Sequence, residues 1–129
     1  MACGGNSAQQ CGGSSRLSVY NNTAYVMPQV VSSVSTYQMK ACYNDNVAAR
    51  AFNSYVIATN AMTVEMCVSS CSARGFLYAG VEFGRECYCG NAIASTSSPI
   101  SLSTCQENFC SGNMTEYCGG SSALLVYSQ

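Results

Sequence analysis

Histidine is absent from these 129 residues, and charge is scarce: five Lys or Arg and six Asp or Glu make up 9% of the chain. An average soluble chain carries about 25%. Lys40 and the four arginines are scattered, so no cluster of positive charge is available to track phosphates, and nucleic acid is not expected as a partner. No apolar run approaches the roughly 18 residues of a membrane span. There is no CxxC pair, which together with the missing histidine argues against a reduced metal protein; no metal and no cofactor is expected. No GxSxG elbow marks a serine nucleophile. Met1-Ala2-Cys3 does not open a signal peptide, so the expectation is either a mature form with an added Met or export without a cleaved leader.

Cysteine, by contrast, is abundant, at ten residues. That is near the roughly 8–10% at which a chain reads as a disulfide scaffold. The even number points to an oxidising compartment, secreted or at a cell surface. With so few charges, Ser, Asn, Thr, Gln and Gly must cover much of the exterior. The length suits one domain, or one domain with an added segment, able to bury about 70% of its unfolded surface. Two N-glycosylation sequons, Asn21-Asn22-Thr23 and Asn113-Met114-Thr115, agree with secretion and are expected at the surface.

The chain also repeats itself. "CGGNSAQQCGGSSRLSVY" at 3–20 and "CSGNMTEYCGGSSALLVY" at 110–127 are identical at 11 of 18 aligned positions. The repeat divides the chain into an N-terminal arm, 1–38, which duplicates the tail and adds a connecting stretch, and a cysteine-rich unit, 39–129. The connection "TAYVMPQVVSSVSTY" suits a strand interrupted or edged by Pro28.

The clearest helix signal is "MTVEMCVSSCSARG". Thr63 suits the N-cap, Glu65 the first turn, Arg74 the last turn and Gly75 the C′ position. Cys67 and Cys71 share one face at i and i+4 and can tether the helix to two different strands. "FLYAGVEFG" alternates as a strand, Gly84-Arg85 turns the chain, and "ECYCG" returns with Cys87 and Cys89 on one side. A second short helix is expected in "STCQENFC", with Thr104 and Glu107 as a capping box. "ALLVYS" and its copy "RLSVYN" read as strands, and "AARAFNSYVIATN" as either strand or helix. Each copy of the repeat holds two cysteines eight apart, so the simplest pairing is Cys3–Cys11 and Cys110–Cys118. The pairing of Cys42, Cys67, Cys71, Cys87, Cys89 and Cys105 stays open.

The ordered pieces "ACYNDN", "MTVEMCVSSC", "YAGVEFGRECYCGN", "CSGNMTEYCGG" and "LLVYS", over 41–128, resemble the WSC module, the eight-cysteine domain of fungal cell-wall stress sensors and of some secreted fungal oxidases. Cys42, Cys67, Cys71, Cys87, Cys89, Cys105, Cys110 and Cys118 match its cysteines. The resemblance implies an α+β fold, a disulfide-rich antiparallel sheet packed with helices, and carbohydrate recognition. By the same resemblance the opening fragment looks like the tail of a preceding module. It is expected as an arm that adds a strand to this sheet or to that of a second chain, giving a homodimer. A chain of this size also resembles a secreted mushroom lectin.

A sugar needs planar hydrogen-bonding groups for its hydroxyls and an aromatic face for its apolar side. The stretch 82–91 offers Glu82, Phe83, Arg85, Tyr88 and Asn91, with Glu82 and Tyr88 expected to face out on adjoining strands. The plainer reading of Glu82 or Glu86 with Arg85 is a surface ion pair, worth about 0–1 kcal/mol. Tyr43 and Asp45 in "CYNDN" form a second candidate cluster, alternatively a turn bonded to its own backbone. Tyr117 is a third. Asp45, Glu82, Glu86 and Glu116 permit a carboxylate pair in principle, but a glycosidase needs two across a cleft at about 5–5.5 or 6.5–9.5 Å, and no enzyme is expected. The leading expectation is a secreted lectin for cell-wall polysaccharide or glycoprotein glycans. The alternatives are a protein-interaction or defence protein on the same scaffold, and a weak carboxylate hydrolase.

Overall fold

The computed structural model describes residues 2–5, 7–9, 27–46, 50–52 and 54–129. The strand expected at "RLSVYN", the Cys3–Cys11 bridge and the sequon at Asn21 lie outside the described residues or depend on them. Two short strands, β1 (Ala2–Gly5) and β2 (Ser7–Gln9), pair with one another in an antiparallel ribbon.

The main body begins with β3 (Ser33–Val34), which forms a hairpin with β4 (Tyr37–Asn44). Next come β5 (Tyr55–Ala58), α1 (Val64–Ala73), β6 (Tyr78–Glu82) and β7 (Glu86–Gly90). Then follow β8 (Pro99–Ile100), a 3-10 turn over Leu102–Gln106, β9 (Phe109–Cys110), β10 (Asn113–Tyr117) and β11 (Ala123–Ser128). The sheet has seven strands in the order β3-β4-β11-β6-β7-β5, with β8 on β4. Every pairing within it is antiparallel.

The closing strand of the sequence is therefore the centre of the sheet. β11 pairs with β4 along one edge and with β6 along the other, and Ala123 to Tyr127 are all buried. Its run "ALLVY" lacks alternation because both faces are covered, and a strand with no wet side has no place for polar residues. On one face Leu125 and Tyr127 join Val81, Cys87 and Cys89 against Val64, Cys67, Val68 and Cys71 of α1. On the other, Leu124 and Val126 pack with Tyr43 and Tyr88 beneath Ala51 and Phe52.

The helix forms where its caps and its apolar spacing agree. Thr63 Oγ1 accepts from the Met66 amide at 3.0 Å, satisfying one of the orphan N–H groups of the first turn. Gly75 takes φ +79 just past the end, and the amides of Arg74 and Phe76 both return to the Cys71 carbonyl. Cys67 and Cys71 bond to Cys87 and Cys89. Both bridges reach β7, not two different strands: a spacing of four on a helix and two on a strand covers a similar length, so one strand serves both. Cys42–Cys105 fastens the 3-10 turn to β4, and Cys110–Cys118 closes the β9–β10 region as the repeat suggests.

One expectation is corrected and one open alternative is decided. Among the described residues α1 is the one α-helix; "STCQENFC" supplies a 3-10 turn that starts after Ser101, and no capping box forms. Glu107 instead accepts from the Ser121 amide at 3.3 Å. "AARAFNSYVIATN" yields a strand, β5. The boundary drawn at 38/39 runs through β4, whose first residue, Tyr37, is fully buried and donates its hydroxyl to the Phe76 carbonyl. The connection is docked as well: the Gln29 amide donates to Thr115 O at 3.1 Å, the Tyr117 amide to Gln29 O at 3.3 Å, and the Tyr127 hydroxyl to Val31 O at 2.6 Å.

Candidate functional site

The β6–β7 connection carries the densest set of expected site residues, and the structure splits them in two. Strand parity does this: side chains at 82, 86 and 88 lie over the sheet face away from α1, while the turn residues 83 to 85 project past the end of the sheet.

At the turn, Phe83 has φ +56 and Gly84 φ +79. The first is costly for a residue with a Cβ, on the order of 1 kcal/mol, and persists because its neighbours are pinned. The Gly84 amide donates to Cys118 O at 3.0 Å, and the Ser111 amide donates to Gly84 O at 2.9 Å. A Cβ on Gly84 would stand 2.8 Å from the Phe109 carbonyl oxygen, so only glycine lets the turn press against β9. Phe83 is left 53% exposed and Phe109 40% exposed. Phe109 meets half-buried Tyr117 across the β9–β10 ladder, with ring centroids 5.4 Å apart and planes at 31°. Polar groups stand around this aromatic end. Arg85 Nε donates to Asn60 Oδ1 at 3.1 Å, and Ser111 Oγ donates to the Thr59 carbonyl at 3.1 Å. Exposed rings beside amide, guanidinium and hydroxyl groups offer a pyranose a surface for its C–H face and donors for its rim.

Glu82, Tyr88, Tyr43 and Asp45 do not face out; all four are buried. Asp45 is 2% exposed and Glu82 4%. Arg50 Nη1 reaches Asp45 Oδ2 at 2.6 Å and Glu82 Oε2 at 3.3 Å, and its guanidinium stands 4.9 Å over the Tyr88 ring. Asp45 Oδ1 accepts from the Ala51 amide at 2.7 Å, and the Tyr88 hydroxyl donates to Glu86 Oε1 at 2.8 Å. Burial, then the hydrogen bond and charge of Asp45, push Glu82 up to about 9, so it carries a proton at neutral pH. One guanidinium thus faces one carboxylate and one carboxylic acid, and the group holds the segment around Ala51 and Phe52 over the sheet. The ion pair considered between Glu82 and Arg85 does not form; Arg50 is the partner of Glu82. Tyr43 packs with Leu124, Val126 and Phe52.

Asn91 is not at the turn but just past β7, on the side of the Arg50 segment. It is exposed, its Oδ1 accepts from the Leu77 amide at 3.0 Å, and it lines a groove of about 380 Å³ with Arg50, Phe52, Ser54 and Ile93. Of the eight residues expected to touch sugar, Phe83, Arg85 and Tyr117 are thus the ones brought to a common, exposed end. Phe109 and Asn60 join them without having been expected. A signal for Phe109 was present: it precedes Cys110 as Tyr117 precedes Cys118, and a bridge between those cysteines brings the two rings together. Asn60 carried no such signal.

The remaining carboxylates are also paired. Glu116 accepts from the Val64 amide at 3.1 Å, at the first residue of α1, and with Glu65 lines a depression of about 400 Å³. Burial and the hydrogen bond with Glu65 push Glu116 up to about 7, against the opposing Val64 N–H. Cys67, Cys71 and Cys87 place three sulfurs within 4.8 Å of one another, but each is bound in a disulfide and offers no thiolate to a metal.

The family model of the WSC domain matches residues 39–120. The chain belongs to the WSC domain family. Two WSC domain-containing proteins of Arthroderma benhamiae are 33% and 35% identical over 152 and 127 residues, covering 100% and 98% of the chain. The chain spans only 16% and 17% of their length. The xylosyltransferase oxt of Drosophila pseudoobscura pseudoobscura is 34% identical over 87 residues, 67% of the chain and 10% of that protein. In this WSC domain the family match stops at Gly120, yet β11, the central strand, begins at Ala123. The described fold is thus wider than the matched segment at both ends.

Proposed function

We propose that this WSC domain is a secreted glycan-binding module, a lectin that acts without turnover on cell-wall polysaccharide or glycoprotein glycans. One observation carries the reading: Phe83, more than half exposed, is held in a left-handed conformation in the turn that presses on the backbone of Phe109, whose exposed ring meets Tyr117. Exposed aromatics are costly to keep in water, and strain at an exposed position belongs to sites with a task. Arg85 and Asn60 supply the polar rim. Four disulfides among the described residues suit an extracellular setting, and no helix there is long and apolar enough to cross a membrane.

A site this open binds weakly alone, so avidity matters. Self-association through β5, which among the described residues pairs only with β7 and leaves Val56 exposed, supplies a second site. The test is retention on insoluble wall polysaccharides and a glycan array. Phe83→Ala and Tyr117→Ala should each weaken retention about tenfold or more, equal to roughly 1.4 kcal/mol. Phe83→Ala binding as wild type, or no retention of the wild type on any polysaccharide or glycan, sinks the proposal.

A further inference from the structure

The sequon at residues 113–115 is not used by the aromatic end, and its local geometry is specific. Asn113 opens β10, directly after the exposed Ser111-Gly112 turn. The Thr115 hydroxyl donates to Asn113 Oδ1 at 2.7 Å, and the Thr115 amide donates to the same oxygen at 3.0 Å. Both contacts fall on Oδ1 and not on Nδ2, the atom that takes a sugar. Met114 between them is 62% exposed.

We propose that Asn113 is an attachment site for an N-linked oligosaccharide. In the transfer, Asn113 Nδ2 bonds to the anomeric carbon of a lipid-pyrophosphate-linked oligosaccharide. The bond from that carbon to the pyrophosphate oxygen breaks, the lipid pyrophosphate departs with its electron pair, and the amide nitrogen gives one proton to the transferase's base. The Thr115 hydroxyl serves by fixing the carboxamide through Oδ1. Asn113 also lies inside the loop closed by Cys110–Cys118, and the Gly112 amide donates to Met62 O at 2.7 Å, so the folded hairpin tip is pressed against the chain ahead of α1. Transfer must therefore compete with closure of that loop, and partial occupancy is expected. This inference does not depend on the glycan-binding reading.

The two sequons fall on different tryptic peptides, because Lys40 and Arg85 lie between them; Asn113 sits in the peptide 86–129. The test is to express the full chain behind a secretory leader in yeast. Tagged protein is then collected from cells and medium, reduced and digested, and treated with peptide N-glycosidase in heavy-oxygen water. The expected result is heavy Asp at position 113 in a fraction of the 86–129 peptide. The label should be lost in Asn113→Gln and Thr115→Ala and retained in Thr115→Ser. Cys110→Ser/Cys118→Ser should raise occupancy at least twofold. An 86–129 peptide wholly free of label in both fractions, in the wild type and in the cysteine variant alike, overturns the proposal. So does equal labelling in Thr115→Ala.

Discussion

Phe83 shows how a single backbone angle can separate stability from binding. Its φ of +56 suits glycine better than any residue with a Cβ. Phe83→Gly is therefore expected to leave the melting temperature unchanged or raised while retention on polysaccharide falls as it does for Phe83→Ala; paired thermal and binding assays read this directly. Arg50 makes the opposite kind of contribution. It neutralises Asp45 inside a nearly dry group, so Arg50→Met leaves a buried carboxylate without its counter-charge. The expected loss is about 3 kcal/mol in urea unfolding, at the lower end for a broken buried pair because Arg50 itself is partly exposed. Sugar binding at the exposed turn should survive under conditions where the variant is folded.

The raised carboxyls set the sign of the pH dependence. Glu116 is pushed up to about 7 and Glu82 up to about 9, each from 4.5. Above pH 4.5 the unfolded chain releases both protons while the folded chain keeps them. Their contribution to stability is thus whole below the unfolded value and is lost as pH rises through the folded ones. The melting temperature should fall between about pH 5 and 9. Glu116→Gln should flatten the portion up to about 7, and Glu82→Gln the portion up to about 9. A melting temperature that climbs steadily over this range contradicts the assignment.

At the scale of elements, α1 is held to one strand by two bridges and by one capped turn. Its exposed face adds little, so separate changes should report separate costs. Thr63→Ala is expected to cost about 1 kcal/mol through the lost Met66 amide bond. Replacing Cys71 and Cys89 by Ser should cost about 2–4 kcal/mol, mostly by freeing the unfolded chain. Urea midpoints measure both. The helix was legible because cap, spacing and C′ glycine all agree along the chain. The 3-10 turn was not: Thr104 and Glu107 have the right spacing for a cap, but Cys105 is fixed to β4, and that distant bond decides the local conformation. Likewise "AARAFNSYVIATN" was ambiguous alone, and pairing with β7 made its Tyr55–Ala58 a strand.

At the scale of the molecule, the last strand in sequence is the middle strand in space. A chain ending at residue 120, where the family match stops, lacks the strand that joins β4 to β6. Such a chain should show no dispersed amide spectrum even with its cysteines oxidised, whereas 27–129 should fold. Half-buried edges can fray without loss of the whole; a strand buried on both faces cannot.

The sequence by itself determined the scaffold: the family, the oxidised cysteines, the helix with its caps, and the strands of the β6–β7 hairpin. Each is a statement about neighbours along the chain or about residue types that allow few alternatives. It also named Phe83, Arg85 and Tyr117 as candidates. Only the tertiary structure decided which candidates meet solvent. Glu82 and Tyr88 share a sheet face with Asp45, and whether that face is wet depends on whether Arg50, Ala51 and Phe52 fold across it. Such a cover is a contact between residues some thirty to forty positions apart, and alternation within a strand tells which side a residue takes but not what lies over that side.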